Sequence, residues 1–154
     1  MSGCTSTNSD ITNTSGTSSK SEVNNNDTTR VIIDMIKKQC NVKYMEDASL
    51  EQIIQRYDLK EDYVETASGL MDNDSLSMEQ AVVVKAKGES EACSIRDSLG
   101  EYYNHILKES KSYLPDEYEK IKKCSVVKDG IYITMFISDD FDKMTEIYNS
   151  CDKT

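Results

Sequence analysis

Apolar residues in this chain fall into short helical stripes and alternating runs that begin only after about the first 28 positions. Val31, Ile32, Met35 and Ile36 share one side of a helix that Thr28 or Thr29 caps and that closes near Cys40. Ser49-Leu50-Glu51-Gln52 has the spacing of a capping box, predicting a second short helix through Ile53, Ile54 and Tyr57. Neither helix is long enough to stand alone, so each must dock on something. A sheet is the expected partner. Residues 63–68 read as a first strand that Gly69 weakens at its end, and residues 81–87 as the best strand of this half. The Val82-Val83-Val84 run is β-branched on both faces and calls for burial on at least one. Met71-Asp72-Asn73-Asp74-Ser75 reads as the polar turn between these strands.

In the second half, Ile95, Leu99, Tyr102 or Tyr103, and Ile106 recur every three or four positions, predicting one long helix over 90–113. Pro115 suits the first turn of a short helix reaching Lys123. Val126-Val127-Lys128, Asp129-Gly130 and the run 131–138 form a hairpin, with Asp-Gly suited to a type I′ turn. Pairing Lys128 with Ile131 sets Val126 opposite Ile133 and Cys124 opposite Met135. Ile131, Ile133, Met135 and Ile137 then share a core face with Val126 and Cys124. Asp139 caps a last helix carrying Phe141, Met144, Ile147 and Tyr148. The order predicts one α+β domain over 29–154, a mainly antiparallel four-stranded sheet packed by helices.

Residues 1–28 are of another kind. About two thirds of them are Ser, Thr or Asn, so they cannot bury enough surface to offset chain entropy. They are expected to be a disordered tether, spanning about 30 Å if random-coil-like. At its start, Ser2-Gly3-Cys4 matches the tail of a bacterial lipobox, in which cysteine becomes the acylated N-terminal residue. The apolar run that would precede it is not in the sequence, so Met1 reads as a start placed after a removed export signal. Cys4 is thus the expected lipid attachment point.

The net charge of −10 lies mostly on the domain, which argues against nucleic acid and against direct adsorption to anionic lipid. No apolar stretch approaches the roughly 20 residues of a spanning helix. Membrane attachment then depends on lipid at Cys4. Cys40, Cys93, Cys124 and Cys151 would allow two disulfides in an oxidising compartment. Their apolar settings favour free, mostly buried thiols, and no CxxC pair suggests zinc or redox chemistry.

Candidate chemistry is sparse. Asp139, Asp140 and Asp142 could give hard oxygen ligands, or merely suit a helix N-terminus. Asp72-Asn73-Asp74 opens like a calcium loop but lacks the glycine and third ligand that should follow. His105 is the only histidine, with Glu101 and Glu109 on its helix; a boundary position is the plainer account. Cys93 sits in no recognised nucleophile motif. Tyr102, Tyr103, Tyr113, Tyr118 and Tyr132 could line a peptide or glycan groove, or be ordinary boundary residues. No cofactor or metal is expected.

Four segments carry a family resemblance. They are Ser77-Met78-Glu79-Gln80-Ala81-Val82-Val83-Val84-Lys85, Tyr113-Leu114-Pro115-Asp116-Glu117-Tyr118, Asp129-Gly130-Ile131-Tyr132-Ile133 and Ser138-Asp139-Asp140. Together they resemble the bacterial domain-of-unknown-function family numbered 4358, common in exported lipoproteins of Gram-positive anaerobes, over roughly residues 29–150. The resemblance implies an exported lipoprotein with a small α+β domain and supplies no activity. The expectation is an extracellular, lipid-anchored, non-enzymatic binding or accessory module for a protein, peptide or glycan. The alternatives are an extracellular hydrolase or metal-dependent enzyme using surface carboxylates, and a cytosolic regulatory domain in which Cys4 is incidental.

Overall fold

The structure, a computed structural model, describes residues 27–73 and 77–153. Residues 1–26 of the expected tether, Cys4 among them, and Asp74 and Ser75 lie outside them, while Asp27 and Thr28, expected in the tether, belong to the start of the first helix. Helix α1 (Thr28–Gln39) leads to β1 (Met45–Ala48), α2 (Leu50–Tyr57) and β2 (Val64–Asp72). β3 (Gln80–Ala86), α3 (Glu89–Tyr113), α4 (Pro115–Lys122), β4 (Val126–Asp129), β5 (Tyr132–Ile137) and α5 (Phe141–Ser150) follow. The sheet is antiparallel throughout, in the order β1-β2-β3-β5-β4. It has five strands where the sequence pattern predicts four. The additional strand, β1, reads Met-Glu-Asp-Ala and carries no β-branched residue. Packing makes it a strand: Met45 and Ala48 are buried, and Asp47 is held by Lys37 at 2.7 Å.

Helices cover both faces of the sheet. On one face α2 and α3 bury Ile53, Tyr57, Ile95 and Leu99 against Val82, Val84, Ile133 and Met135. On the other, α1 and α5 bury Ile32, Ile33, Ile36, Met144 and Ile147 against Leu70, Val83 and Phe136. Each fully buried Ile or Leu stabilises this arrangement by about 1.5–3 kcal/mol relative to exposure. β3 is central, so its valines are buried on both sides, as the unbroken β-branched run requires.

The local signals hold with informative shifts. The Ser49–Gln52 capping box is formed in both directions. α1 is capped by Asp27 in place of Thr28 or Thr29, through the bond from Thr29 N to the Asp27 carboxylate at 3.0 Å. Thr29 turns inward to Ser68, which rotates the stripe so that Ile33 is buried and Val31 exposed. β2 runs four residues further than expected, through Gly69 and on to Asp72, so Met71 and Asp72 are strand. A Cβ at Gly69 would lie 2.9 Å from the Ala81 carbonyl and 3.4 Å from Ile53 Cδ1, so glycine here admits α2 onto the sheet.

The β4–β5 hairpin pairs Asp129 with Tyr132, a two-residue displacement from the expected register. Shifts of two preserve faces, so Val126 and Cys124 still join Ile133 and Met135 in one core. Gly130 and Ile131 form the turn, and only Gly130 has positive φ, which fits type II′ rather than the I′ turn that Asp-Gly suggests. Asp140, in place of Asp139, is the residue preceding α5, and its carboxylate accepts from Asn41 N at 2.8 Å.

Candidate functional site

The middle of α3 and the edge strand β4 border an open hollow of about 600 Å³ lined by Arg96, Gly100, Glu101, Tyr103, Asn104 and Val126 among others. α3 is long because its apolar side recurs at helical spacing; Ala92, Ile95, Leu99 and Ile106 anchor it to the sheet. One flank of it, with Arg96, Gly100 and Asn104, is thereby left beside β4. Gly100 forms part of the wall, and a Cβ there would meet nothing within 4 Å. Tyr103 closes the inner end. Its hydroxyl lies 2.9 Å from the carbonyl oxygens of both Ile121 and Cys124, tying α3 to the chain entering β4. Burial, with the nearby Cys124 and Tyr118, pushes the Tyr103 phenol up. It stays a protonated donor at neutral pH.

Behind that wall, three of the segments that carry the family resemblance meet. Glu79, just before β3, and Glu117 on α4 both reach Lys120, each at 3.0 Å. These side chains are only 11–18 % exposed, so the ions are largely shielded from water. Burial works against the Lys120 ammonium, but the bonds and charge of Glu117 and Glu79 outweigh it and lift its pKa above the usual lysine value. Cys124 Sγ donates to the Lys120 carbonyl at 3.3 Å and lies 3.6 Å from that of Ser138, bringing in the third segment. The cluster fixes α4 against the sheet and supports the α3–β4 wall. Pattern reasoning missed it, because Glu79, Glu117 and Lys120 look like ordinary surface charge in sequence.

The other candidates do not come together. Asp139 and Asp142 line a small hollow with Lys120 and Lys123, Asp140 is engaged by Asn41, and Asp72 is held by Arg56 at 3.3 Å. β3 lies between β2, which ends at Asp72, and β5, which Ser138 follows, so those backbones are about 10 Å apart. Among the described residues no group of three or more His, Cys, Asp or Glu side chains could hold a metal ion. His105 is exposed, 3.7 Å from Glu109, and twelve positions along α3 from Cys93. That is a rise of about 18 Å, too far for a Cys–His pair. His105 shares a hollow with Arg56, Tyr57, Ser98, Glu101 and Tyr102, but no hydrogen bond joins it to Ser98 among the described residues.

The five tyrosines do not form one groove. Tyr132 is buried on the opposite face, Tyr113 is 79 % exposed, and Tyr102 packs edge-on against Tyr57 with ring centres 4.8 Å apart. Tyr57 in turn donates to Gln80 at 2.6 Å inside the core. Of the five, Tyr103 is the one that lines the α3–β4 hollow.

All four described cysteines are free thiols, and Cys124 alone among them is buried; Cys93 is exposed. The expectation of mostly buried thiols fails because Cys93 is on the outward side of α3 and Cys40 and Cys151 follow helix ends, where cover is partial. Cys40 lies near Asp140 at the start of α5, while Cys151 follows the helix end and its Sγ contacts Met35 Sδ at 3.6 Å.

No curated protein and no solved structure matches this chain. One family model does, over residues 38–138. This span is narrower than the 29–150 the segments suggested; it begins in the last turn of α1 and stops at Ser138, before α5. It takes in the whole sheet, the ion cluster and the α3–β4 hollow, and on that match the chain belongs to the family described as Domain of unknown function (DUF4358).

Proposed function

We propose that this domain is a non-enzymatic binding or accessory module, held at the extracellular face of the membrane by lipid on Cys4. The observation that carries the binding reading is the α3–β4 hollow. It is an open hollow of about 600 Å³ that runs beside the edge strand β4, next to the half-buried Glu79–Lys120–Glu117 ion cluster. Its walls are close-packed helix and strand, as a preformed recognition site needs. The reactive side chains elsewhere are separated or engaged with one another, which suits recognition better than turnover. Lipid on Cys4 is favoured by the Ser2-Gly3-Cys4 sequence and by the acidic domain, whose charge is repelled by anionic headgroups. The polar residues between Cys4 and α1 would then set the reach of the domain from the membrane.

Two measurements test the two halves. Radioactive palmitate supplied to the native host should label the wild-type protein and not a Cys4→Ser variant; an unlabelled wild type removes the tether. Amide chemical shifts of the full chain, titrated with host-surface peptide and glycan fractions, should move at Gly100, Glu101 and Val126. Shifts confined to other surfaces would overturn the choice of site.

A further inference from the structure

We propose that β4 is an acceptor edge for an extended, basic peptide segment, which adds to the sheet as a further strand beneath α3. This deepens the binding-module reading and rests on it. The backbone settles which groups are on offer. Ile131 O accepts from Ala86 N at 2.8 Å, so Ile131 and Ile133 direct their amide groups toward β3, and Tyr132 and Thr134 direct theirs toward β4. Asp129 and Val127, their partners, use their N–H and C=O groups on β5. Val126 and Lys128 therefore present two N–H and two C=O groups outward, about 7 Å apart along the strand. β4 is the last strand in the order, and no backbone bond outside the ladders reaches these groups among the described residues.

Natural edges are usually blocked by charge lying across them. Here the two charged residues of β4 are drawn back over opposite faces. Lys128 Nζ is 2.9 Å from Glu89 on α3, and Asp129 accepts from the Tyr148 hydroxyl of α5 at 2.8 Å. Hollows flank the edge on both faces. One is the α3–β4 hollow; the other, about 280 Å³, is floored by Val127, Thr134 and Phe136 beside Tyr148. Val127 is 41 % exposed there. An added strand would send alternate side chains into the two hollows while its backbone met Val126 and Lys128, which is how edge-binding peptides obtain both affinity and selectivity.

Charge selects the occupant. Glu89, Asp97, Glu101 and Asp129 surround the edge against Arg96 and Lys128, and Glu101 has no ion pair among the described residues. The whole chain carries −10, so a second copy is repelled and a basic segment is drawn in.

The test uses the full chain with three synthetic peptides of about ten residues. The first alternates Lys and Val, the second Glu and Val, and the third is the Lys-Val peptide N-methylated on the residues that would face β4. The Lys-Val peptide should slow hydrogen exchange at the Val126 and Lys128 amides by about tenfold or more, with affinity that falls as salt rises. N-methylation should abolish binding, and the Glu-Val peptide should bind at least about tenfold more weakly. Gly100→Leu, which fills the α3 hollow, should lose binding without a lower melting temperature. Binding that survives N-methylation, or no binding by any of the peptides, overturns the edge. Protection of the same two amides without peptide, rising with protein concentration, assigns the edge to a second copy and equally overturns it. Shifts at Gly100 and Glu101 without protection at Val126 and Lys128 would sink the edge proposal alone. A binding module that fails altogether would instead show no response at the α3–β4 hollow to the surface peptide and glycan fractions.

Discussion

Replacing Gly100 with alanine should make this protein more stable. Glycine in a helix interior is worse than alanine by about 0.8–1.0 kcal/mol, because its backbone loses more freedom on folding. That gain is usually cancelled where the new methyl group meets a neighbour. Gly100 lies within the 25-residue α3 with no positive φ, and an added Cβ has nothing within 4 Å. The full propensity difference should then appear. For a domain of about 120 residues the unfolding entropy is about 0.25 kcal/mol per kelvin, so the melting temperature should rise by about 3–4 °C. Scanning calorimetry and urea unfolding would measure it, with the urea slope unchanged because the same surface is exposed. The contrasting sites are internal controls. Gly69→Ala puts a methyl group 2.9 Å from the Ala81 carbonyl and should cost about 1–3 kcal/mol. Gly130→Ala forces a side chain onto a φ of +62 and should cost about 1–2 kcal/mol. A melting temperature for Gly100→Ala at or below wild type would refute the reasoning, since it would mean that something already fills the space beside α3.

Lys120→Met should cost about 3 kcal/mol in urea unfolding, because it leaves two nearly buried carboxylates facing each other; adding Glu79→Gln and Glu117→Gln should recover most of it. The share of stability that rests on four groups with raised pKa should be fully present below about pH 10 and fall as pH rises further. Burial raises the phenols of Tyr57, Tyr103 and Tyr148, with Asp129 adding to Tyr148, and Lys120 is raised as well, so the fold favours the protonated form of each. A melting temperature that is flat from pH 9 to 11 would contradict this. In a Cys4→Ser background, Ellman's reagent at pH 8 should modify exposed Cys93 first and Cys124 only on unfolding, since burial both shields the Cys124 thiol and raises its pKa. Mass spectrometry of partly labelled protein reads the order directly.

The helices and the central strands were legible because their signals are local and redundant. Ser49 and Gln52 specify a helix start between them, and Val82-Val83-Val84 specifies a buried strand whatever its neighbours are. β1 was not legible, because Met45–Ala48 is a strand only through its pairing with β2 and the hold of Lys37 on Asp47. The hairpin register moved by two because Ile131, an apolar residue, entered the turn, and hydrophobic alternation is blind to a displacement that preserves faces. The candidate site was barely legible. Tyr103 was named for its ring, but Arg96 and Gly100 beside it on α3 are a charged and a small residue that signal no hollow, and Val126 comes from another element. The ion cluster joins residues 41 positions apart, a distance at which spacing carries no information.

The two helices at the margins of the family match have a consequence for how the chain is made. α1 and α5 lie together on one side of the sheet, and Met35 Sδ touches Cys151 Sγ across 116 positions. Synthesis runs from the first of these helices to the second, so the earliest element stays incompletely covered until the last has emerged. Ile32, Ile33 and Ile36 wait for Met144 and Ile147 throughout that interval. A nascent chain stalled before Phe141 should therefore leave α1 open to proteolysis, and one extended past Ser150 should protect it.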